Sequence, residues 1–290
     1  MRLKKMLISL IITTYNRPEA LKLVLQSTET QTDQSFEVIV ADDGSTPETG
    51  DLIAAFKKES KKNVKHVWHE DLGFRAGAVR NLAMREAVGE YIIFLDGDCI
   101  LQPDFVARHR SLAEAGMVVT GGRILLGEVI TNELISQGLW NYADFRSRFV
   151  KLWIKKELNK LFPLVFKVGD HFARRYRGFV WRRIKSCNLA CWKVDAIKVG
   201  GFDENITGWG HEDADFVFRL HVAGVNRKSA SWATEVFHLF HPEADKTHAR
   251  KNEELVQSRI QARYGHPEKV NRFQESRKRL TLWYCGYSDA

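Results

Sequence analysis

Residues 91–99 read Tyr-Ile-Ile-Phe-Leu-Asp-Gly-Asp-Cys, an unbroken apolar run that ends in two carboxylates one residue apart. A run of this kind, with no polar alternation, suits a strand covered on both faces in a parallel sheet. Ligands of open α/β sheets gather at the carboxyl ends of such strands, which is where Asp96 and Asp98 stand. Two hard oxygen donors there can hold Mg²⁺ or Mn²⁺ beside the diphosphate of a nucleotide-linked substrate. A lone Asp-x-Asp also serves as a polar turn closing a core strand. Here it stands between two further acidic stretches, Ala41-Asp42-Asp43-Gly44-Ser45 and Trp209-Gly210-His211-Glu212-Asp213.

Strand and helix patterns alternate through the first 120 residues. Leu7 to Thr13 reads as a strand, and Arg17-Pro18-Glu19 opens an amphipathic helix to about Thr30, with Pro where a missing N–H costs nothing. Phe36 to Ala41 is a second strand, Thr49 to Lys61 a helix, Val64 to His69 a third strand and Gly77 to Val88 a third helix. This order predicts an α/β fold with a mostly parallel central sheet and right-handed crossovers. At 290 residues and 44% hydrophobic content the chain suits one α/β unit with insertions. It has no run of about 18 apolar residues that would span a membrane. The basic, apolar N-terminus lacks a small-residue cleavage site, so it reads as a first strand. Cys99, Cys187, Cys191 and Cys285 form no C-x-x-C pair and are expected as reduced thiols in the cytoplasm.

Charge is concentrated in one place. Residues 141–185 hold 13 Lys and Arg against 3 acids, +10, in a chain whose net charge is +8. Leu139, Trp140, Tyr142, Phe145, Phe149, Leu152, Trp153 and Ile154 interleave there with Arg146, Arg148, Lys151, Lys155 and Lys156. Farther on, Leu161 to Phe166 precedes Arg174, Arg175, Arg177, Arg182 and Arg183. Basic helices with aromatic and Leu residues on the other side can lie in the headgroup plane of an anionic membrane. The expectation is peripheral contact through residues 140–185, on the cytoplasmic face of the inner membrane.

Thr13-Thr14-Tyr15-Asn16-Arg17, Asp42-Asp43-Gly44-Ser45, Asp96-Gly97-Asp98 and Glu212-Asp213 stand in the order seen in family 2 glycosyltransferases of the GT-A fold. Gly201-Phe202-Asp203-Glu204 followed by Trp209-Gly210-x-Glu212-Asp213 resembles the C-terminal half of β-1,4-galactosyltransferases and chondroitin-polymerase domains. The likeness covers about residues 5 to 245. It implies a GT-A catalytic domain over 1–245, with a basic, mostly helical insertion at about 128–180 that has no counterpart in the family core. A helical tail over 246–290 follows.

The resemblance also implies roles. Thr13, Tyr15, Asn16 and Arg17 would line the nucleotide, and an Asp ending the second strand would accept the imide N–H of uracil. Alternation along a strand turns Asp42 and Asp43 opposite ways, so one of them faces the base; the sequence leaves open which. The glycines of Gly73-Phe74-Arg75-Ala76-Gly77 let backbone approach a phosphate at a helix start, with Arg75 or Arg80 adding charge-assisted hydrogen bonds. In similar enzymes the second Asp of the pair, here Asp98, ligates the metal directly, with Asp96 acting through water or the ribose. A late His completes the set, His238 by position and His241 as the other candidate. A His ligand tilts the choice toward Mn²⁺ over Mg²⁺. Asp213 would be the catalytic base of an inverting transfer, with Glu212 bonding acceptor hydroxyls. Trp209 offers a face to a sugar ring, and Asn188, in Ser186-Cys187-Asn188-Leu189-Ala190, resembles the acceptor-side strand.

The donor implied is a nucleotide sugar, UDP-linked. The acceptor implied is a bacterial cell-surface glycan or glycolipid such as lipopolysaccharide core, capsule or lipid-linked oligosaccharide. A nucleotidyltransferase making nucleotide sugars would carry a Gly-rich basic loop after the first strand, and Thr13 to Pro18 lacks those glycines. A non-catalytic basic module, including a nucleic-acid binder, would have no need of the carboxylates, so nucleic acid is not an expected partner. Glycosidase chemistry is disfavoured because adjacent Glu212 and Asp213 cannot flank a bond with the required gap of about 5 Å or more.

Overall fold

The computed structural model describes residues 6–176, 178–181, 184–242 and 245–265. Expectations for Arg177, Arg182, Arg183, Cys285 and residues 266–290 fall outside these. The first half follows the alternation read from the sequence: β1 (Ile8–Thr14), α1 (Pro18–Glu29), β2 (Phe36–Asp42), α2 (Pro47–Glu59), β3 (Val64–Trp68), α3 (Ala76–Glu86), β4 (Tyr91–Asp96), β5 (Cys99–Ile100), α4 (Phe105–Leu112) and β6 (Met117–Thr120). Next come β7 (Arg123–Leu125), α5 (Glu128–Gln137), α6 (Tyr142–Ser147), α7 (Phe149–Ile154) and α8 (Phe162–Val165). The chain closes with β8 (Asn188–Trp192), α9 (Lys193–Lys198), α10 (Glu212–Val222), β9 (Asn226–Ser229), β10 (Val236–His238) and α11 (Ala249–Tyr264).

Seven strands form one sheet in the order β3-β2-β1-β4-β8-β6-β9. β1 pairs in parallel with both β2 and β4, which sets Thr13 level with Asp96 and Thr14 level with Asp42 at the carboxyl ends of the three strands. The sheet is mostly parallel; β8 runs antiparallel to both β4 and β6. A small second sheet, β5-β10-β7, sets His238 beside Cys99, next in sequence to Asp98.

Two apolar layers cover the main sheet, and its strands β1, β2 and β4 are buried along almost their whole length. One contains α1 and the aromatic cluster Trp140, Phe145 and Phe149 around Phe237, with ring centroids 5.0–5.9 Å from Phe237. These rings hold β10, and with it His238, against the body. Much of the basic segment is therefore core: Trp140, Phe145, Phe149 and Leu152 are at most 5% exposed, against the expectation that they face lipid. They pack inward because Phe237 and Ile124 on the small sheet need a cover. The expected helical character is present in short pieces, α5 to α8 and a 3-10 turn at Phe172–Arg174.

Some of the segment's charge is also consumed. Arg148 pairs with Glu133 through both terminal nitrogens. Arg174 is 4% exposed and donates to the carbonyls of Val168, Gly169, Ser229 and Ser231. Arg175 pairs with Glu114 and Asp170.

The other layer is centred on Phe94, with Phe202 and Phe216 edge-on at 5.1 and 6.1 Å. Gly201 has φ +72°, and a Cβ there would lie 2.3 Å from Asn81 Oδ1, which instead accepts from Phe202 N. α11 packs into this layer through Val256 and Ile260, and Arg259 reaches Asp203 and the fully buried Asp215. Asn252 of α11 donates to the carbonyls of Thr207 and Gly210, so the helix holds the loop before α10. Replacing Phe94 by Ala should cost about 3–5 kcal/mol of stability. Urea unfolding followed by far-UV circular dichroism would show this as a lower midpoint.

Candidate active site

A cleft of about 990 Å³ opens where β1 and β4 end, large enough for a nucleotide sugar. Arg80 crosses its floor. This side chain is 3% exposed and donates to Thr13 Oγ1 (3.1 Å), Asp96 Oδ1 (3.1 Å) and Glu212 Oε1 (3.0 Å). One guanidinium thus ties the ends of β1 and β4 to the start of α10. Its bonds here go to Thr13 and to two carboxylates, and it lines the cleft.

The two neighbouring acids of β2 part company as strand alternation requires. Asp43 lines the cleft, bonded to His69 at 2.6 Å and accepting from Arg75 N, and burial raises its pKa. Asp42 is 1% exposed and turned inward, accepting from Ser45 N and 3.0 Å from His66. Burial alone would raise its pKa, but these bonds hold it below the usual range. Thr13, Tyr15 and Arg17 line the cleft. Asn16, with φ 47°, instead braces the loop, its N donating to Ser45 Oγ and its Oδ1 accepting from Thr46 N. Arg75 contributes a backbone bond, and its side chain is not among the groups lining the cleft.

Asp98, His238 and His241 converge, with one ligand atom from each lying within 4.8 Å of the others. Asp98 is 3.3 Å from His241 Nε2, 3.7 Å from His238 Nε2 and 3.0 Å from Arg17 Nη1. Burial lowers the pKa of His238 to about 4, leaving the neutral imidazole that a divalent cation requires. One carboxylate and two imidazoles fit Mn²⁺. Asp96 lies outside this trio, tied to Arg80, and burial raises its pKa to about 6.

Across the cleft, α10 begins after a loop in which Gly208, Gly210 and His211 all have positive φ. A Cβ on Gly208 would sit 2.5 Å from His248, so only Gly fits. The turn separates the adjacent acids: Glu212 goes to Arg80, while Asp213 accepts from Ser186 N (3.0 Å) and Ala214 N (2.7 Å). Burial, then the charge of Glu212, raises the pKa of Asp213 to about 7. A carboxylate that titrates near neutrality and is fixed in orientation is suited to accept a proton. Trp209, 40% exposed, stands on the same wall, with Lys246 Nζ 5.8 Å from its ring.

Asn188 does not belong to the cleft. It is 1% exposed, with its oxygen 2.9 Å from His109 and its amide donating to the carbonyls of Gly122 and Thr234, because it starts the antiparallel strand β8 inside the sheet. Sequence reasoning missed His66 and His69, and also Ser186, whose N–H orients Asp213. The two His, at the carboxyl end of a strand beside the Asp42-Asp43 strand, were the available signal. The amide of Ser186 left none.

A family model described as glycosyl transferase family 2 matches residues 9–179, and one described as the N-terminal domain of galactosyltransferase matches residues 168–242. Validoxylamine A glucosyltransferase of Streptomyces hygroscopicus subsp. jinggangensis is 30% identical over 256 residues, covering 80% of this chain and 56% of that protein. Chondroitin synthase of Escherichia coli is 30% identical over 283 residues, covering 91% of this chain and 40% of the synthase. The chain thus spans about half the length of these relatives. In fold it is similar to the mannosyltransferase PcManGT of Pyrobaculum calidifontis, solved with GDP-Man and Mn²⁺: TM-score 0.53 at 14% identity, over 96% of this chain and 81% of that one.

The raised pKa of Asp213 has a consequence for stability. Its ordinary value is 3.8 and its folded value about 7, so folding favours the protonated form. The corresponding stability is present in full below the unfolded value and is lost as pH rises through about 7. The Tm of Asp213→Asn relative to the parent should therefore improve between pH 5 and pH 8. Calorimetric scans at both values check this.

Proposed function

The chain belongs to glycosyl transferase family 2, and from that premise we propose that it transfers a sugar, with inversion, from a UDP-sugar to a hydroxyl of a bacterial cell-surface glycan. The observation that carries the reading is Asp213, a fixed carboxyl with its pKa raised to about 7, in the same cleft as the Asp98, His238 and His241 trio.

Asp43 would select the base, since a carboxylate only accepts hydrogen bonds and uracil presents an imide donor. Thr13, Tyr15 and Arg17 would flank the nucleotide. Mn²⁺ held by Asp98, His238 and His241 would supply Lewis-acid stabilisation of the leaving diphosphate. Trp209 offers its exposed face to the acceptor sugar, and Glu212, anchored by Arg80 through one oxygen, keeps the other for an acceptor hydroxyl. Asp213 takes the proton of the attacking hydroxyl. That oxygen bonds to the anomeric carbon on the face opposite the diphosphate, and the electron pair of the breaking C–O bond leaves with the nucleotide.

Asp213→Asn should lower transfer by about 10²–10⁴-fold while UDP binding, measured by calorimetry, persists. Transfer at the parental rate would overturn the base assignment. Chelation by EDTA should abolish transfer, and added Mn²⁺ should restore it. Asp98→Ala should weaken UDP binding in Mn²⁺ far more than in chelator, and full activity in EDTA would reject the metal centre.

A further inference from the structure

We infer that the surface formed by residues 146–166 docks on a bilayer rich in anionic phospholipid, beside the mouth of the cleft. The inward packing of Phe149 and Leu152 turns the other side of α7 outward: Val150, Trp153 and Ile154 are 58%, 43% and 69% exposed. The same division recurs at α8, where Pro163 and Leu164 are buried while Phe162, Val165 and Phe166 are 58–61% exposed. Six large apolar side chains facing outward along so short a stretch are not the ordinary scatter of surface hydrophobics.

The cations among them select the partner. Arg146, Lys151, Lys155, Lys156 and Lys160 are all exposed. Among the described residues, the ammonium groups of Lys151, Lys155 and Lys156 make no salt bridge or side-chain hydrogen bond, unlike the guanidinium groups of Arg148, Arg174 and Arg175. The intervening Glu157 is turned inward, accepting from Ile130 N. Aromatic and aliphatic side chains interleaved with unpaired lysines match the boundary between acyl chains and anionic headgroups. A second copy of the same surface would meet it with like charge, which disfavours self-association.

The position of the surface gives it a use. Between the two exposed stretches, residues 157–160 are fastened to β7: Leu125 N donates to Asn159 Oδ1, and Lys160 Nζ to Arg123 O. Arg123 and Leu125 themselves line the cleft. An acceptor held in the bilayer by a lipid would thus present its glycan to the cleft without leaving the surface. The docking does not depend on the transferase reading and is tested separately from it.

The full chain should co-sediment at low salt with phosphatidylglycerol-containing vesicles and not with pure phosphatidylcholine vesicles. Lys151→Glu, Lys155→Glu and Lys156→Glu combined should reduce partitioning roughly 100-fold. Phe162→Ser, Val165→Ser and Phe166→Ser combined should also release the protein, including at low salt. Neither set touches the cleft or the core, so the far-UV circular dichroism and urea midpoint of both variants should match the parent's, which reports that both are folded. Failure of the parent to bind anionic vesicles at low salt overturns the proposal. So does parental binding by both variants, which would place the contact elsewhere on the chain.

Discussion

The guanidinium of Arg80 is the interaction on which the site depends. A buried cation is tolerated only where its charge and donors are matched, and here Thr13, Asp96 and Glu212 match them from three separate elements. The positive charge of Arg80 lies between the carboxyl groups of Asp96 and Glu212 and bonds to each of them. Arg80 itself is placed by α3, which packs on β1 and β2 and whose neighbouring residue Asn81 grips Phe202. Packing between helix and sheet is in this way converted into the spacing between the carboxylates of two cleft walls.

The two walls are tuned differently. On one, Asp98 stands beside Arg17 and two imidazoles and is well supplied with positive or neutral partners. On the other, burial and the neighbouring charge of Glu212 outweigh the charge of Arg80 and two backbone amides at Asp213, and its proton affinity rises. Two acids of one residue class thus come to suit the proposed cation ligand and the proposed proton acceptor through their surroundings. Behind the first wall, the rings around Phe237 keep His238 from relaxing away from Asp98.

The alternation of strands and helices was legible because β1, β2 and β4 are mostly apolar runs and the first two helices between strands open on Pro18 and Pro47. The carboxylates at strand ends were legible for the same reason: period and position mark them. What was hidden is what depends on partners far away in sequence. Asn188 looked like a sugar ligand because a polar residue next to an apolar strand has two uses, and only the pairing of β8 with β4 and β6 reveals that it is inside. Likewise, Arg174 reads as surface charge until four carbonyls are found around it. The mixture of cations and aromatic rings in the basic segment was plain in its composition, but which rings face inward was decided by Phe237, some 90 residues downstream.

Asn252 clamps Thr207 and Gly210, and His248 fills the space above Gly208, so the shape of the loop carrying Trp209 is dictated by a helix about 40 residues further along the chain. With Trp209 in its proposed place at the acceptor sugar, acceptor preference can drift without any change in the cleft lining. A substitution on the inner face of α11 would re-aim the Trp209 ring, and exchanging that helix between relatives would carry the proposed selectivity along with it. In this architecture the last described helix acts as the adjusting screw of the aperture, and Asp96 and Asp98 stay where β4 has put them.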